Sequence, residues 1–269
     1  MNIVVCVKQV PDTTQVRIHA ETNTLIREGI PSIVNPYDIH AVEAAVAVKE
    51  SAGGRVTAIT MGPPQAREAL KEAISLGADD AVLISDRAFA GSDTLATGYI
   101  LSEAIRKLHS ESPVDLIICG KQSIDGDTAQ VGPGIAQRLG FTQLTYVIKI
   151  TEIDAPGRRI VVERQLERGH QVVEGRLPAL LTVVKEMNEA RYAPLPNLIK
   201  AAKYEPRLFD LAGLGLDRSQ IGLKGSPTTV RRIFAPTPRA GGAIIADQSQ
   251  TPAEAARLLV EKLQADRLL

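Results

Sequence analysis

An α/β fold built on a doubly wound parallel sheet is predicted by three features of the 269-residue chain. Short β-branched runs alternate with amphipathic helical runs through the first half. Those runs are apolar on both faces, as strands covered by helices on either side must be. After Gly140 the alternation gives way to short strand-like runs with no long helices between them, which predicts an antiparallel edge on the parallel sheet.

Residues 1–10 (MNIVVCVKQV) form the first expected strand, Val-rich and ended by Pro11. Asn35-Pro36 opens a helix in which Ile39, Val42, Ala45, Val46 and Val48 recur at helical period, until Gly53-Gly54 stops it. Residues 55–61 (RVTAITM) are the next strand. Pro63 and Pro64 start a helix to about Leu76, with Gly77 just past its end. Residues 81–85 (AVLIS) are a third strand, followed by a helix over 93–109 with Asp93 as its N-cap. Residues 114–120 (VDLIICG) are a fourth strand, followed by a short helix from about Thr128 to Leu139. Residues 143–150, 158–165, 171–173 and 179–184 read as further strands, with a hairpin turn at 154–159 (DAPGRR).

From about Asn188 the chain is rich in Pro and Gly, with only short apolar clusters. Leu208, Phe209, Leu211, Leu214, Leu216, Ile221, Ile233 and Phe234 need burial somewhere, which predicts an extended C-terminal arm packed on another subunit; a linker or disordered tail is the alternative. A last helix, 251–263, begins with a capping signal: Thr251, Glu254 three residues on, and Pro252 at the first helical position. The expected organisation is an α/β domain over 1–187, a loop over 188–203 and an arm over 204–269.

Lys+Arg and Asp+Glu are both 31, so the chain carries no electrostatic footprint for nucleic acid or an anionic membrane. Four Phe, five Tyr and no Trp leave too few aromatics for a base-stacking surface. Cys6 and Cys119 are too few for a disulfide framework or a zinc site, and both read as small buried apolar residues. No apolar stretch reaches the ~18 residues of a membrane helix. The N-terminus has no signal-peptide layout, so a cytoplasmic protein is expected. His19, His40, His109 and His170 show neither metal-ligand spacing nor a paired nucleophile, and His40 and His109 are expected on solvated helix faces. No catalytic residue and no metal ligand is assigned.

Ligands of an open parallel sheet bind beyond the carboxyl ends of its strands. The segments there are Val7-Lys8-Gln9, Gly62-Pro63-Pro64, 85–93 and 120–132. GKQSIDGDTAQVGPG, residues 120–134, joins a buried strand directly to a helix. Gly126 is expected to supply the backbone freedom that lets a ligand approach the main chain. Asp127 and Thr128 fall where the free N–H groups of a helix start meet an anion, and Thr128 and Gln130 add neutral donors. The predicted ligand is a phosphate or pyrophosphate, provided the Asp125 and Asp127 carboxylates turn away; Asp127 as a plain helix cap is the alternative. FAGSDTLATGY, residues 89–99, repeats the pattern at Gly91 and Asp93-Thr94, giving either a second anion site or an ordinary capped helix. Neither a G-x-G-x-x-G nor a P-loop sequence is present. A nucleotide site without nucleophile or general base reads as a cofactor carrier rather than a hydrolase.

Together with VNPYDIHAVEAAV (34–46) and NEARYAPLPNLIKAAK (188–203), residues 120–134 resemble the β subunit of electron-transfer flavoproteins, essentially end to end. The resemblance implies a nucleotide across the strand ends and an obligate heterodimer with an α subunit that carries an FAD of its own and is embraced by the arm. Carried onto this chain, Cys6 contacts the nucleotide through its backbone. Asn35, Pro36, Tyr37 and Asp38 line the adenine side, and Met61 flanks it. Gly120, Lys121, Gln122 and Ser123, with Asp125, Gly126, Asp127, Thr128, Ala129, Gln130 and Val131, hold the phosphates. Residues 191–200 match the family's recognition loop, in which Leu195 is the apolar anchor for a partner acyl-CoA dehydrogenase. Pro194 and Pro196 pre-order that loop and lower the entropic cost of docking.

DGDTAQVGP and FAGSDTLATGY resemble the electron-bifurcating subclass. That implies FAD in this subunit and hydride from NADH received at Phe89, Gly91, Asp93 and Thr94. One electron then goes to the α-subunit FAD and the other to ferredoxin or flavodoxin. The conventional subclass, with structural AMP here and electrons shuttled from acyl-CoA dehydrogenases, is the alternative. Gln165 stands where the family often carries an acidic residue, so tuning by that carboxylate is not implied; Arg164 remains, and a cation near a flavin favours its reduced anionic forms. A nucleotide-holding module of the universal-stress type, without redox chemistry, is the competing class and does not call for the long arm.

Overall fold

The computed structural model describes residues 1–12, 17–18, 25–26, 31–229, 241–242, 244–245 and 250–269, with 17–18 and 25–26 described by their backbone alone. It divides into two units, Met1–Arg231 and Arg232–Leu269. The first unit opens with β1 (Asn2–Cys6), β2 (Gln9–Pro11), β3 (Arg17–Ile18), β4 (Leu25–Ile26) and β5 (Ser32–Val34). It continues with α1 (Pro36–Ala52), β6 (Arg55–Met61), α2 (Arg67–Leu76), β7 (Asp80–Ile84), α3 (Thr94–Glu111), β8 (Leu116–Gly120) and α4 (Val131–Leu139). Then come β9 (Thr142–Asp154), β10 (Arg159–Gln165), β11 (His170–Arg176), β12 (Ala179–Val183), α5 (Leu195–Ala202), β13 (Arg207–Phe209), α6 (Leu211–Leu214) and α7 (Gly222–Gly225).

Nine strands form one sheet in the order β11-β10-β9-β12-β8-β1-β6-β7-β13. Neighbours from β9 to β13 in that order are parallel, and β10 and β11 make the antiparallel edge. Strand alternation sends Ile3 and Val5 to the face covered by Val42, Val46, Leu70 and Ile74 of α1 and α2. Val4 and Cys6 face the opposite layer, where Ile100, Ile105 and Ile135 of α3 and α4 pack. Two-sided burial of this kind is why the central strands are mostly apolar.

Three expected boundaries shift. The strand expected over 1–10 stops at Cys6, because the Lys8 amide donates to the Asp38 carboxylate instead of a neighbouring strand; Gln9–Pro11 then pairs antiparallel with β5. Pro64–Ala66 form a single tight turn before α2 begins at Arg67. Helix α4 begins at Val131, not Thr128. Asp93 caps α3 as expected, accepting from the Leu95 and Ala96 amides. His109 is exposed as expected, with Nδ1 accepting from the Val114 amide at 3.0 Å, whereas His40 is half-buried, its Nδ1 3.0 Å from Asn188 Oδ1. His19 lies outside the described residues.

The largest departure concerns the arm expected from 204. Residues 204–229 belong to the same unit as the sheet. β13 extends the sheet beside β7, and Tyr204 Oη donates to Asp80 Oδ1 at 2.6 Å while accepting from the Ala81 amide. Phe209, Leu211, Leu216 and Ile221 are buried in the α3-side core, so they need no second subunit. Leu208 remains exposed; Ile233 and Phe234 lie outside the described residues. The second unit carries α8 (Pro252–Ala265), whose Thr251 and Glu254 make the expected reciprocal cap. Among the described residues no helix is long and apolar enough to cross a membrane.

Phe209→Ala tests this assignment. Loss of its buried ring should cost the chain about 3–5 kcal/mol in chemical denaturation; unchanged stability would return Phe209 to a partner interface.

Candidate nucleotide-binding site

Strand order reverses at β1, with β6 and β7 on one side and β8 and β12 on the other. A crevice therefore opens beyond the carboxyl ends of β1 and β8. It holds a cavity of about 340 Å³ that gathers the segments after β1, β6 and β8 together with the start of α3.

A single side chain holds the crevice in shape. Asp38, buried in the first turn of α1, accepts the Lys8 amide at 2.8 Å through Oδ2 and the Gly120 amide at 3.1 Å through Oδ1. It thus ties the ends of two neighbouring strands to one helix. Burial pushes its carboxyl up to about 7, against the hydrogen bonds and the Lys8 charge that favour ionisation. Gly120 is required by this contact, since a Cβ there would sit 2.3 Å from Asp38 Oδ1. Asn35, fully buried, donates through Nδ2 to the Gln122 carbonyl at 2.9 Å and accepts the Ile124 amide at 3.1 Å. Of the four residues expected on the adenine side, Asn35 and Asp38 border the cavity with their polar atoms committed to the protein backbone, whereas Pro36 and Tyr37 do not line it.

The loop from Lys121 to Gln130 corrects two expectations. Gly126 was expected to take the unusual backbone conformation. Asp127 and Ala129 take it instead, at φ 53° and 54°, while a Cβ on Gly126 would meet only Ser123 Oγ at 3.5 Å. Non-glycine residues held there cost of order 1–3 kcal/mol each, and such strain gathers at functional sites. Asp127 does not cap α4 either; Gln130 occupies that position without a side-chain cap. Among the described residues the amides of Gly126, Thr128, Ala129 and Gln130 donate to no protein acceptor. All four residues line the cavity, and the first-turn amides of Val131 and Gly132 follow them. Successive free N–H groups in alternating backbone conformations form a concave anion receptor.

Both loop carboxylates are turned away from the cavity. Asp125 pairs with Lys8 Nζ at 2.7 Å; partial burial opposes its ionisation, yet the Lys8 contact and a hydrogen bond with Ser123 hold its carboxyl below the usual range. Asp127 accepts from Gln122 Nε2. Lys121 lines the cavity, with its Nζ 5.7 Å from the Tyr37 ring centre and 5.2 Å from that of Tyr146. Tyr37 itself is not on the wall. Tyr146, at φ 59°, carried no sequence signal.

The residues expected to receive NADH divide. Asp93 and Thr94 line this same cavity, and Thr94 Oγ1 donates to Gln130 Oε1 at 3.0 Å, so the two glycine-bearing turns border one site rather than two. Phe89 is buried in the core, and Gly91, at φ 77°, is packed by Leu223. Asp93 is fully engaged, with Oδ1 on the α3 amides and Oδ2 on the Thr228 amide and hydroxyl. Cys6, Met61 and Cys119 also border the cavity. Arg164 lies on β10, where Nη2 donates to Thr145 Oγ1 at 3.0 Å.

Leu195 belongs to a different surface. The segment expected as a loop over 191–200 becomes helix α5 from Leu195 onward, with Pro194 as its N-cap. Tyr192 is 99% exposed and Leu195 69%. Arg191 mounts this segment on α1 through Glu43, at 2.8 and 2.9 Å, and Glu50, at 2.6 and 2.9 Å, a clamp that sequence reading missed.

The electron transfer flavoprotein domain family matches residues 22–212. Protein FixA of Azotobacter vinelandii is 51% identical over 265 residues, spanning 98% of this chain and 94% of that protein. The electron transfer flavoprotein subunit beta of Thermoanaerobacterium thermosaccharolyticum is 47% identical over 270 residues, and that of Megasphaera elsdenii 45% over 273, each spanning 100% of both chains.

The buried Asp38 carboxyl gives a signed pH expectation. Its value rises from 3.8 to about 7, so the folded chain holds this proton more tightly than the unfolded chain. The stability it contributes is complete below about pH 4, declines as pH rises through about 7, and is flat above. Urea unfolding across that window should show the decline in the native chain. Asp38→Asn should be less stable throughout, because its amide NH2 faces a backbone donor, and should lack that decline. Equal slopes in the two proteins would remove Asp38 as the titrating group.

Proposed function

The chain belongs to the electron transfer flavoprotein family, and we propose that it acts as a β subunit holding FAD in the cavity beyond β1 and β8. The observation that carries this reading is the run of free main-chain amides at Gly126, Thr128, Ala129 and Gln130. These donors suit a diphosphate, and Asp125 and Asp127 are already engaged elsewhere. Lys8 and Lys121 place cations beside them. Cys6 and Met61 border the part of the cavity assigned to the nucleoside. When bound, the flavin supplies hydride acceptance in two-electron steps and electron release in one-electron steps.

NADH is the proposed hydride donor, with Asp93 and Thr94 as the residues nearest its approach. Onward transfer sends one electron to the FAD of an α subunit and the other to ferredoxin or flavodoxin. The DGDTAQVGP and FAGSDT sequences support this bifurcating reading, and their meeting at one cavity is consistent with it. The exposed Tyr192 and Leu195 are the proposed contact for an acyl-CoA dehydrogenase. A second reading rests on the cavity's volume, about 340 Å³, which lies at the lower end of ligand pockets and suits AMP as well.

Denaturing extraction of the purified heterodimer separates these readings. Two FAD per dimer is the expected result. One FAD with one AMP selects the conventional carrier, and a nucleotide without flavin rejects redox function. Leu195→Ala should weaken electron exchange with the dehydrogenase while NADH-dependent flavin reduction stays intact; an equal fall in both rates would reject the docking assignment.

A further inference from the structure

Cys6 and Cys119 are register partners across the parallel β1–β8 pair. Partners in register point to the same face of a sheet, and both side chains lie in the α3-side layer at the floor of the cavity. Both thiols are free and buried, and the Cys119 Sγ donates to the Leu181 carbonyl at 3.6 Å. Neighbouring strands lie about 4.7–4.9 Å apart, within the Cα separation of about 4.4–6.8 Å that a disulfide spans. Nothing proposed for the site uses either sulfur.

We propose that Cys6 and Cys119 form a redox pair gated by occupancy of the cavity: reached through the cavity they line when no nucleotide is bound, they are converted by a small disulfide oxidant to an intramolecular disulfide that bars the nucleotide, and beneath a bound nucleotide they stay reduced. This rests on the cavity's being a nucleotide site. In the first step the Cys6 sulfur, losing its proton, attacks one sulfur of the external disulfide and releases one external thiol. In the second, Cys119 loses its proton, attacks the Cys6 sulfur and releases the second external thiol. Two protein thiols are oxidised, and one external disulfide is reduced to two thiols. Cys119 is placed second because the neighbouring Cys6 thiol, and then burial, push its thiol up and weaken it as an attacking group. The cross-link draws together the ends of β1 and β8, whose spacing Asp38 otherwise sets through Lys8 and Gly120.

The test uses the heterodimer as purified and after nucleotide removal by dialysis against a chaotropic salt, each incubated with glutathione disulfide. Mass analysis of the intact chain without reductant should show loss of two hydrogens in the depleted protein and no change in the loaded one. Nucleotide rebinding should fall about tenfold or more and return on reduction. Cys119→Ser should stop at a single glutathionyl adduct on Cys6. A depleted chain that stays unmodified or stops at the adduct overturns the proposal. So does a loaded chain that oxidises equally fast, or an oxidised chain that rebinds normally. Extraction of the starting material reads the nucleotide separately: its absence overturns both the site reading and the gating, whereas nucleotide present above inert thiols overturns the gating alone.

Discussion

One buried carboxylate sets the geometry of everything around it. Adjacent parallel strands end with main-chain amides that have no further strand to pair with, and those amides must find acceptors. Asp38 supplies both acceptors from the first turn of α1, one for the amide after β1 and one for the last residue of β8. The crevice between those strand ends is therefore fixed by a helix rather than by a flexible loop. Asn35, three residues earlier, extends the same device to the Gln122 carbonyl and the Ile124 amide. Removing a carboxyl from water favours its neutral form, which is why this group keeps its proton so far above the usual range.

With its beginning pinned by Asn35, the loop holds a shape that its own residues disfavour. Asp127 and Ala129 sit in the left-handed region without being glycines. The outcome is a row of amides with no protein acceptor along the wall of the cavity, open to water or to a ligand. Helix α1 also links this site to a distant surface. Its start carries Asp38, while Glu43 and Glu50 further along grip Arg191, just before the exposed Tyr192 and Leu195. Hydrogen bonds from both glutamates raise the Arg191 guanidinium well above its ordinary value, so the clamp is charged at any working pH. The crevice and the exposed apolar segment are thus mounted on one helix.

How much of this was legible follows from the same physics. The parallel core was readable because strands buried on both faces must be largely apolar: VVCV, AVLI and LIIC are wholly so, and VTAIT interrupts its run only with the β-branched Thr57 and Thr60. The Asp93 cap was readable because an acid directly before a helix leaves few alternatives. The special backbone of the loop over 121–130 was not: alanine carries no left-handed signature, and the nearby Gly126 drew the expectation to itself. Asp38 entered only through the resemblance, as a residue lining the adenine side; its burial and its two strand-end partners are properties of the packed fold. β13 was hidden because a three-residue edge strand with Leu208 outward and only Phe209 buried has no periodicity to detect.

The distribution of polar commitments also bears on what the site can do. Asp38 is taken by two strand-end amides, and Asp93 by the α3 cap and Thr228. Asp125 is taken by Lys8, and Asp127 by Gln122. Every carboxylate around this cavity is therefore engaged in holding the main chain or a neighbouring side chain in place. A general base needs a lone pair directed at substrate, and among the described carboxylates here none is left over. What does face the cavity is a set of fixed N–H donors with two lysines. Such a wall orients an anionic ligand without performing bond chemistry on it, which matches a protein whose reactivity resides in the molecule it binds.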